Sequence, residues 1–164
     1  MTGSTADART DECPEPHRLL VAVDESENSR RAVEYVGRWV ACYEAARVML
    51  AHVVKEPSED VLPDRDERES QVRRARDAAE QLLADIRATL EDEGVEAERI
   101  ATKVLSCRPP DTVVDALLAE KDSGDYDTIV VGRRGASKKE EYIFGSVTMG
   151  LIREVSTISV WVVE

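Results

Sequence analysis

The sequence has few cysteines and histidines, and this scarcity excludes several kinds of site. The three cysteines are Cys13, Cys42 and Cys107, which lie far apart and form no CxxC pair. A disulfide framework or a cysteine-based zinc site is therefore not expected. The two histidines, His17 and His52, have no spacing that indicates a nucleophile–histidine pair, so we interpret both as structural or solvated.

Long apolar runs and net positive charge are also lacking. No stretch approaches the roughly 20 apolar residues that are needed to cross a bilayer. Residues 1–16 contain no apolar core of a secretion signal, which favours a cytoplasmic location. The chain has 34 acidic and 22 basic residues and a formal net charge of −12. Because binding to nucleic acid or an anionic membrane relies on Lys and Arg, neither is an expected partner.

The rest of the sequence alternates between two hydrophobic patterns. Residues 1–16 predict a mobile polar tail, and 17–164 predict one domain. Short apolar runs predict five strands, at 18–23, 48–54, 100–105, 127–131 and 157–163. Helical spacing predicts four helices, at 28–45, from about 67 to Gly94, from Pro109 or Pro110 to about Gly124, and at 146–154. This alternation predicts an α/β fold of three layers, α/β/α, around an open parallel five-stranded sheet.

In an open parallel sheet, ligands bind beyond the carboxyl ends of the strands, where the strand order reverses. Asp24 ends the first predicted strand, Val53 lies at the exit of the second, and Gly132 follows the fourth. These three positions are therefore candidates for a binding site.

The segment GRRGASKKEEYIFGSVT, residues 132–148, carries the strongest candidate motif. Gly132 and Gly135 permit a ligand to approach the backbone closely. Gly145 and Ser146 open a predicted helix, whose free N–H groups and positive dipole end suit a phosphate.

Charges of both signs surround these glycines. The cations are Arg133, Arg134, Lys138 and Lys139, and Glu140 and Glu141 oppose them. The spacing is neither a Walker A loop nor a GxGxxG fingerprint. From the residues alone, a surface turn with solvated charges remains an equal alternative to a phosphate site.

Four segments together resemble the universal stress protein family. They are LLVAVDESENS at 19–29, VMLAHVV at 48–54, DTIVVGRRG at 127–135 and GSVT at 145–148. Gly132, two residues, Gly135, nine residues and then Gly145–Ser146 reproduce the G-x2-G-x9-G-[S/T] signature of the family's ATP-binding branch. The resemblance implies a Rossmann-like fold, similar to adenine nucleotide alpha hydrolases, with strand order 3-2-1-4-5.

The resemblance also implies a nucleotide site without catalytic residues or metal ligands. Its cofactor-binding residues are Asp24, Val53, Gly132, Arg133, Gly135, Gly145, Ser146, Val147 and Thr148. By this likeness Asp24 contacts the adenosine, the Val53 main chain meets the adenine edge, and residues 145–148 hold the phosphates through N–H groups and hydroxyls. The implied ligand is ATP with Mg²⁺, although AMP or another adenine nucleotide fits equally.

Structural roles compete with these assignments. Asp24 is also suited to cap the following helix, Val53 to fill the core, and Gly145 with Ser146 merely to begin a helix. Glu25 stands where many relatives have glycine, and its carboxylate either repels a phosphate or points to solvent.

The last predicted strand suggests a partner. Residues Ile158–Val163 are apolar on both faces, and an exposed edge of that composition needs to be paired or covered. The resemblance suggests a homodimer in which two chains pair these strands, with Trp161 as an interface or core anchor. The alternative is a strand inside the sheet.

Three classes of function follow. The first is an ATP-binding regulatory or stress-response protein with little or no turnover, whose state an unknown protein partner reads. The second is a slow ATPase, and the third is a dimeric interaction or scaffold protein that binds no nucleotide.

Overall fold

The computed structural model describes residues 17–133 and 144–164. Its elements in chain order are β1 (Arg18–Ala22), α1 (Glu27–Ala41), β2 (Arg47–Lys55), α2 (Arg65–Asp92), β3 (Ile100–Cys107), α3 (Val113–Ser123), β4 (Thr128–Gly132), α4 (Ser146–Glu154) and β5 (Ser159–Val163). The predicted tail 1–16 lies outside the described residues, and so do Gly135, Arg134, Lys138 and Lys139 of the glycine-rich segment.

The five strands form one parallel sheet in the order β3-β2-β1-β4-β5, which confirms the predicted fold. β1 lies at the centre, where Ala22 is in register with Ala51 of β2 and Val131 of β4. Helices α1 and α2 bury their apolar faces against one side of the sheet, and α3 and α4 against the other. Apolar burial on both sides explains why the strands are continuous apolar runs.

Helix α1 is shorter than predicted, since it ends at Ala41 and not at residue 45. The buried guanidinium of Arg99 donates hydrogen bonds to the carbonyl oxygens of Val40 at 3.1 Å and Tyr43 at 3.0 Å. The Ala46 N–H also donates to the Tyr43 carbonyl at 3.0 Å. The tertiary contacts from Arg99, together with this local turn, direct the chain towards β2 where the periodicity alone would continue the helix.

The start of α3 was also predicted wrongly. Pro109 and Pro110 lie in the turn before the helix, which begins at Val113. Its N-cap is Thr112, whose hydroxyl accepts from the Asp115 N–H while the Asp115 carboxylate accepts from the Thr112 N–H. The hydroxyl of Thr112, 2.7 Å from the carboxylate, and after it the Thr112 N–H stabilise the charged form and lower the pKa of Asp115. A reciprocal capping box therefore sets this boundary in place of the prolines.

The two edges of the sheet differ in composition. β3 extends to Cys107, further than predicted, and carries the exposed Lys103 in its middle. β5 begins at Ser159, two residues later than predicted, and continues as the apolar run VWVV. Among the described strands it pairs with β4 alone and lies at the edge of the sheet, not inside it as the alternative had it. Trp161 packs against the core, with its ring centroid 5.2 Å from that of Trp39.

A buried carboxylate lies between α3 and the sheet. Glu120 is 6% exposed and accepts hydrogen bonds from the Lys103 ammonium at 2.6 Å and the Tyr126 hydroxyl at 2.9 Å. Desolvation, together with the hydrogen bond and the charge of Glu120, raises the pKa of Tyr126 to about 12. The neutral phenol is therefore favoured in the folded protein.

We expect this shift to make stability depend on alkaline pH. The contribution of Tyr126 is fully present below about pH 10, where the unfolded phenol is protonated, and is lost as the pH rises through about 12. Urea unfolding across this interval should show the free energy of unfolding of the wild type falling relative to that of Tyr126→Phe. Parallel curves for the two proteins would contradict the shifted pKa.

Candidate functional site

Three chain segments meet at the carboxyl edge of the sheet, where the strand order reverses beside β1. They are the turn that begins at Asp24, the end of β4 at Gly132, and the start of α4 at Gly145. The Gly145 N–H donates to the Arg133 carbonyl at 2.9 Å, which joins the start of α4 directly to the end of β4. The segments that were predicted to form one site therefore lie together.

Gly132 is required by the packing of β4 against α1. A Cβ atom at this position would lie 2.8 Å from the carbonyl carbon of Asn28 and 3.0 Å from the Ser29 nitrogen. Both are backbone atoms, so they have no flexible side-chain end that could move away. The missing side chain brings the first turn of α1 next to the end of β4.

The amino end of α1 is capped by its own chain. Ser26 is the N-cap, and its hydroxyl accepts from the Ser29 N–H at 3.2 Å. The Asp24 carboxylate accepts from the Ser26 N–H at 3.0 Å, and the Asp24 N–H donates to the Ser29 hydroxyl at 3.0 Å. The helix cap that was the alternative role of Asp24 is therefore provided by Ser26, while Asp24 holds the turn before it, and the contact of Asp24 with adenosine remains a prediction. Glu25 beside it is exposed.

The amino end of α4 differs, because its N-cap residue Gly145 has no side chain to cap it. No acidic residue lies in the first turn either. The N–H groups of Ser146, Val147 and Thr148 belong to the initial turn, which has no intrahelical acceptors. Together with the positive end of the helix dipole, they form the feature of this edge best suited to an anion.

Thr148 fastens this helix to the strand. The side chain is 2% exposed, and its hydroxyl donates to the Gly132 carbonyl at 3.0 Å, with the Arg133 carbonyl at 3.3 Å. The hydroxyl therefore has acceptors within the protein, whereas the Thr148 N–H belongs to the first turn of α4. Its predicted contribution to phosphate binding rests on that N–H.

Arg133 supplies a cation at the same place. Its guanidinium pairs with the Glu164 carboxylate, and its main-chain N–H donates to the Val163 carbonyl at 2.7 Å. The Nε atom is buried and has no hydrogen-bond acceptor among the described residues. This donor is consistent with the predicted role of Arg133 beside a phosphate.

Val53 presents main-chain groups to the gap at the end of β1. Alternate residues of a parallel strand direct their N–H and C=O groups to the same neighbour. The Ala51 carbonyl accepts from Val23 beyond β1 at 2.9 Å, whereas the Glu56 N–H donates towards β3, to Cys107, at 2.8 Å. The N–H and C=O of Val53 therefore face the side of β1, and β1 ends before it reaches them.

A charged cluster closes the adjoining rim beyond β2 and β3. The carboxylate of Glu56 accepts hydrogen bonds from Arg108 at 2.7 Å and from Arg76 at 3.4 Å. The hydrogen bond from Arg108 is the main cause that lowers the pKa of Glu56. This cluster joins the segment after β2 to the turn after β3 and to α2, and so fixes the rim next to Val53.

Other kinds of site find no support in the described part of the chain. Among residues 17–133 and 144–164, no three His, Cys, Asp or Glu side chains are grouped so as to hold a metal ion. None of the described helices is both long enough and apolar enough to span a membrane. Two clefts border α2, of about 70 and 410 Å³, and neither is lined by a predicted site residue.

The hydroxyl of Thr148 gives a test of how α4 is held. Thr148→Val keeps the shape but removes the donor, so we expect the free energy of unfolding to fall by about 1–2 kcal/mol. Thr148→Ser keeps the hydroxyl, so its free energy of unfolding, measured with urea, should stay close to that of the wild type. If the valine variant is as stable as the serine variant, the hydrogen bonds to Gly132 and Arg133 do not fasten the helix.

The fold is an open parallel α/β sheet, and this edge lies at its switch point, the place where ligands bind in proteins of this class. The family model of the universal stress protein family matches residues 16–164, so the chain belongs to that family. No curated protein matches the sequence significantly.

Solved structures show the same architecture. The universal stress protein UspA from Lactobacillus plantarum is 17% identical with a TM-score of 0.74, and the match covers 92% of this chain and 99% of that one. A universal stress protein in complex with cAMP is 26% identical with a TM-score of 0.64, covering 90% and 97%. The universal stress protein from Archaeoglobus fulgidus in complex with dAMP is 17% identical with a TM-score of 0.57, covering 90% and 98%.

The structure brings most of the predicted site residues to one edge. Those within it are Asp24, Val53, Gly132, Arg133, Gly145, Ser146, Val147 and Thr148. Gly135 lies outside the described residues. His52, which the sequence predicts only as structural or solvated, lies at the same edge, and its ring Nδ1 is 2.9 Å from the Val23 carbonyl oxygen.

Proposed function

We propose that this protein binds an adenine nucleotide, ATP with Mg²⁺ in the first instance, and acts as a regulatory or stress-response protein with little or no turnover. The observation that carries the proposal is that the N-cap of α4, Gly145, has no side chain, and that this helix start shares a switch point with Val53, whose main-chain groups have no β1 partner among the described residues. The cytoplasmic location predicted from the sequence belongs to this proposal.

The base and the phosphates of a nucleotide are complementary to Val53 and to the start of α4, respectively. The Val53 N–H and C=O offer a donor and an acceptor, which complement N1 and the 6-amino group of adenine. The amide groups of Ser146, Val147 and Thr148 offer donors for phosphate oxygens, and Arg133 adds charge. Mg²⁺ would be held chiefly by the phosphates themselves, as is usual for that ion.

Two universal stress proteins support this choice of ligand. One was solved with cAMP and one with dAMP, and both ligands pair an adenine base with a phosphate. Asp24 and Gly135 remain proposed contacts to adenosine and phosphate on the family likeness.

A slow ATPase and an empty scaffold are the competing functions. Efficient phosphoryl transfer needs a group positioned to activate the attacking water. No spacing in the sequence identifies such a group, so a regulatory role is the better-supported choice. The exposed Glu25 is the residue that favours an empty pocket, because its charge opposes phosphate.

The placement of the phosphates predicts the effect of Gly145→Val. Valine tolerates the observed φ of −68° and ψ of 162°, so the fold should persist while the side chain fills the phosphate space. We expect the wild type to bind Mg–ATP by calorimetry and the variant to lose measurable binding. Ala101→Val, at an exposed position of the distant β3 edge, is the control and should bind normally.

Each outcome selects one of the functions. Retained affinity in Gly145→Val would move the phosphates away from α4. A wild type that binds no adenine nucleotide, in calorimetry and in native mass spectrometry, would favour the scaffold. ADP release over hours that disappears in Asp24→Ala would favour the ATPase.

We also propose a homodimer through the predicted segment Ile158–Val163. The Ser159 N–H and the Val163 C=O are bonded to the β4 side at 3.0 and 2.7 Å, so the main-chain groups of Val160 and Val162 point outwards. β5 carries no charged residue, whereas β3 carries Lys103 in its middle. Charge protects an edge from pairing, so β5 is the edge that remains competent to pair with a second chain.

Removal of one outward donor should weaken this dimer. Val160→Pro deletes an N–H that the β4 ladder does not use, and proline is tolerated on edge strands. Sedimentation at micromolar concentration should show a dimer for the wild type and a shift towards the 18.2 kDa monomer for the variant. Thr102→Pro deletes an outward N–H on the β3 edge and should stay dimeric. A monomeric wild type would disprove the pairing.

A further inference from the structure

The hydrogen bond between His52 and Val23 occupies a position that the β-ladder would normally fill. The Val23 N–H donates to the Ala51 carbonyl at 2.9 Å, as in a regular parallel ladder. In such a ladder the Val23 carbonyl would next accept from the Val53 N–H. Within the described part of the chain, it accepts instead from the imidazole of His52 at 2.9 Å, and the β1–β2 pairing ends at Ala22 and Ala51.

This contact assigns the donor nitrogen of the ring. A carbonyl oxygen can only accept, so Nδ1 of His52 carries the proton and donates it. The His52 side chain of β2 thus bonds the Val23 carbonyl, the first acceptor beyond the end of β1. The neighbouring Val53 N–H is left without its ladder partner, at the edge where Asp24 begins the turn.

We propose that His52 is a positioning residue for base recognition: by taking the Val23 carbonyl, it keeps the Val53 N–H and C=O available to read the Watson–Crick edge of adenine. The inference rests on the proposed nucleotide function. Its claim that His52 keeps the Val53 N–H out of the ladder, however, concerns the protein without ligand. Without the imidazole, the Val53 N–H is free to close the ladder onto Val23 and is lost to the ligand.

The first experiment needs neither a ligand nor a variant. Amide hydrogen exchange of the nucleotide-free wild type should show the Val53 N–H exchanging much faster than the Ala51 N–H, which lies inside the β1–β2 ladder. Equal protection of the two amides would overturn the proposal. In His52→Leu, we expect the Val53 amide to become protected.

The second experiment measures base discrimination. Inosine triphosphate has the same ribose and phosphates as ATP but exchanges the donor and acceptor of the Watson–Crick edge. In His52→Leu, ATP affinity should fall by roughly tenfold and the preference for ATP over inosine triphosphate should approach unity. His52→Asn is the matched variant, because its amide places a donor near the position of Nδ1, and it should retain both the affinity and the preference.

The outcomes separate this inference from the proposed function. A wild type with an unprotected Val53 amide that binds no nucleotide would leave the positioning role intact and refute the nucleotide function. Unchanged ATP preference in His52→Leu, with normal wild-type binding, would refute the positioning role alone. If His52→Leu and His52→Asn lose ATP affinity equally, and both change the melting temperature, His52 stabilises the core and does not position Val53. That result would also overturn the proposal.

Discussion

The close approach of the β4 backbone to the first turn of α1 is the constraint on which the rest of the site depends. At Gly132 the two chains are so near that a single methyl group would lie 2.8 Å from a backbone carbon. This approach sets α1 beside the end of β4, and the hydrogen bonds from Gly145 and Thr148 then draw α4 to the same point. The amino ends of two helices consequently lie at one edge of an acidic protein; the N-cap of α1 is the hydroxyl of Ser26, whereas the N-cap of α4 is Gly145, which has no side chain.

Much of this arrangement could be predicted from the sequence, because apolar patterning reports burial directly. Continuous apolar runs such as 48–54 require cover on both faces, and their alternation with amphipathic segments specifies a parallel sheet. The bounds of α4, Ser146–Glu154, were also predicted correctly. The predicted positions at Asp24, Val53 and Gly132 share an edge because the carboxyl ends of parallel strands do so in any such fold.

The parts that could not be predicted depend on contacts between distant residues. The end of α1 depends on Arg99, 59 positions away from Val40, and no local pattern reveals such a bond. The role of His52 depends on a carbonyl 29 positions away and on which neighbour each main-chain group faces. Gly132 was predicted for its approach to a ligand, whereas the structure shows an approach to α1. At Gly132 the absence of a side chain is therefore explained by the approach of the protein's own backbone, and its contact with a ligand remains a prediction.

The aromatic cluster beside β5 has a consequence for how the molecule can be observed. Both tryptophans of the chain, Trp39 and Trp161, lie edge to face at 5.2 Å, with Tyr35 and His17 against Trp161. Their emission and their coupled near-ultraviolet dichroism therefore report on a single small region at the outer strand. The opposite half of the sheet, β2 and β3, contains no tryptophan. Tryptophan fluorescence of this protein is thus sensitive to changes at the β5 edge and nearly insensitive to changes at the β3 edge.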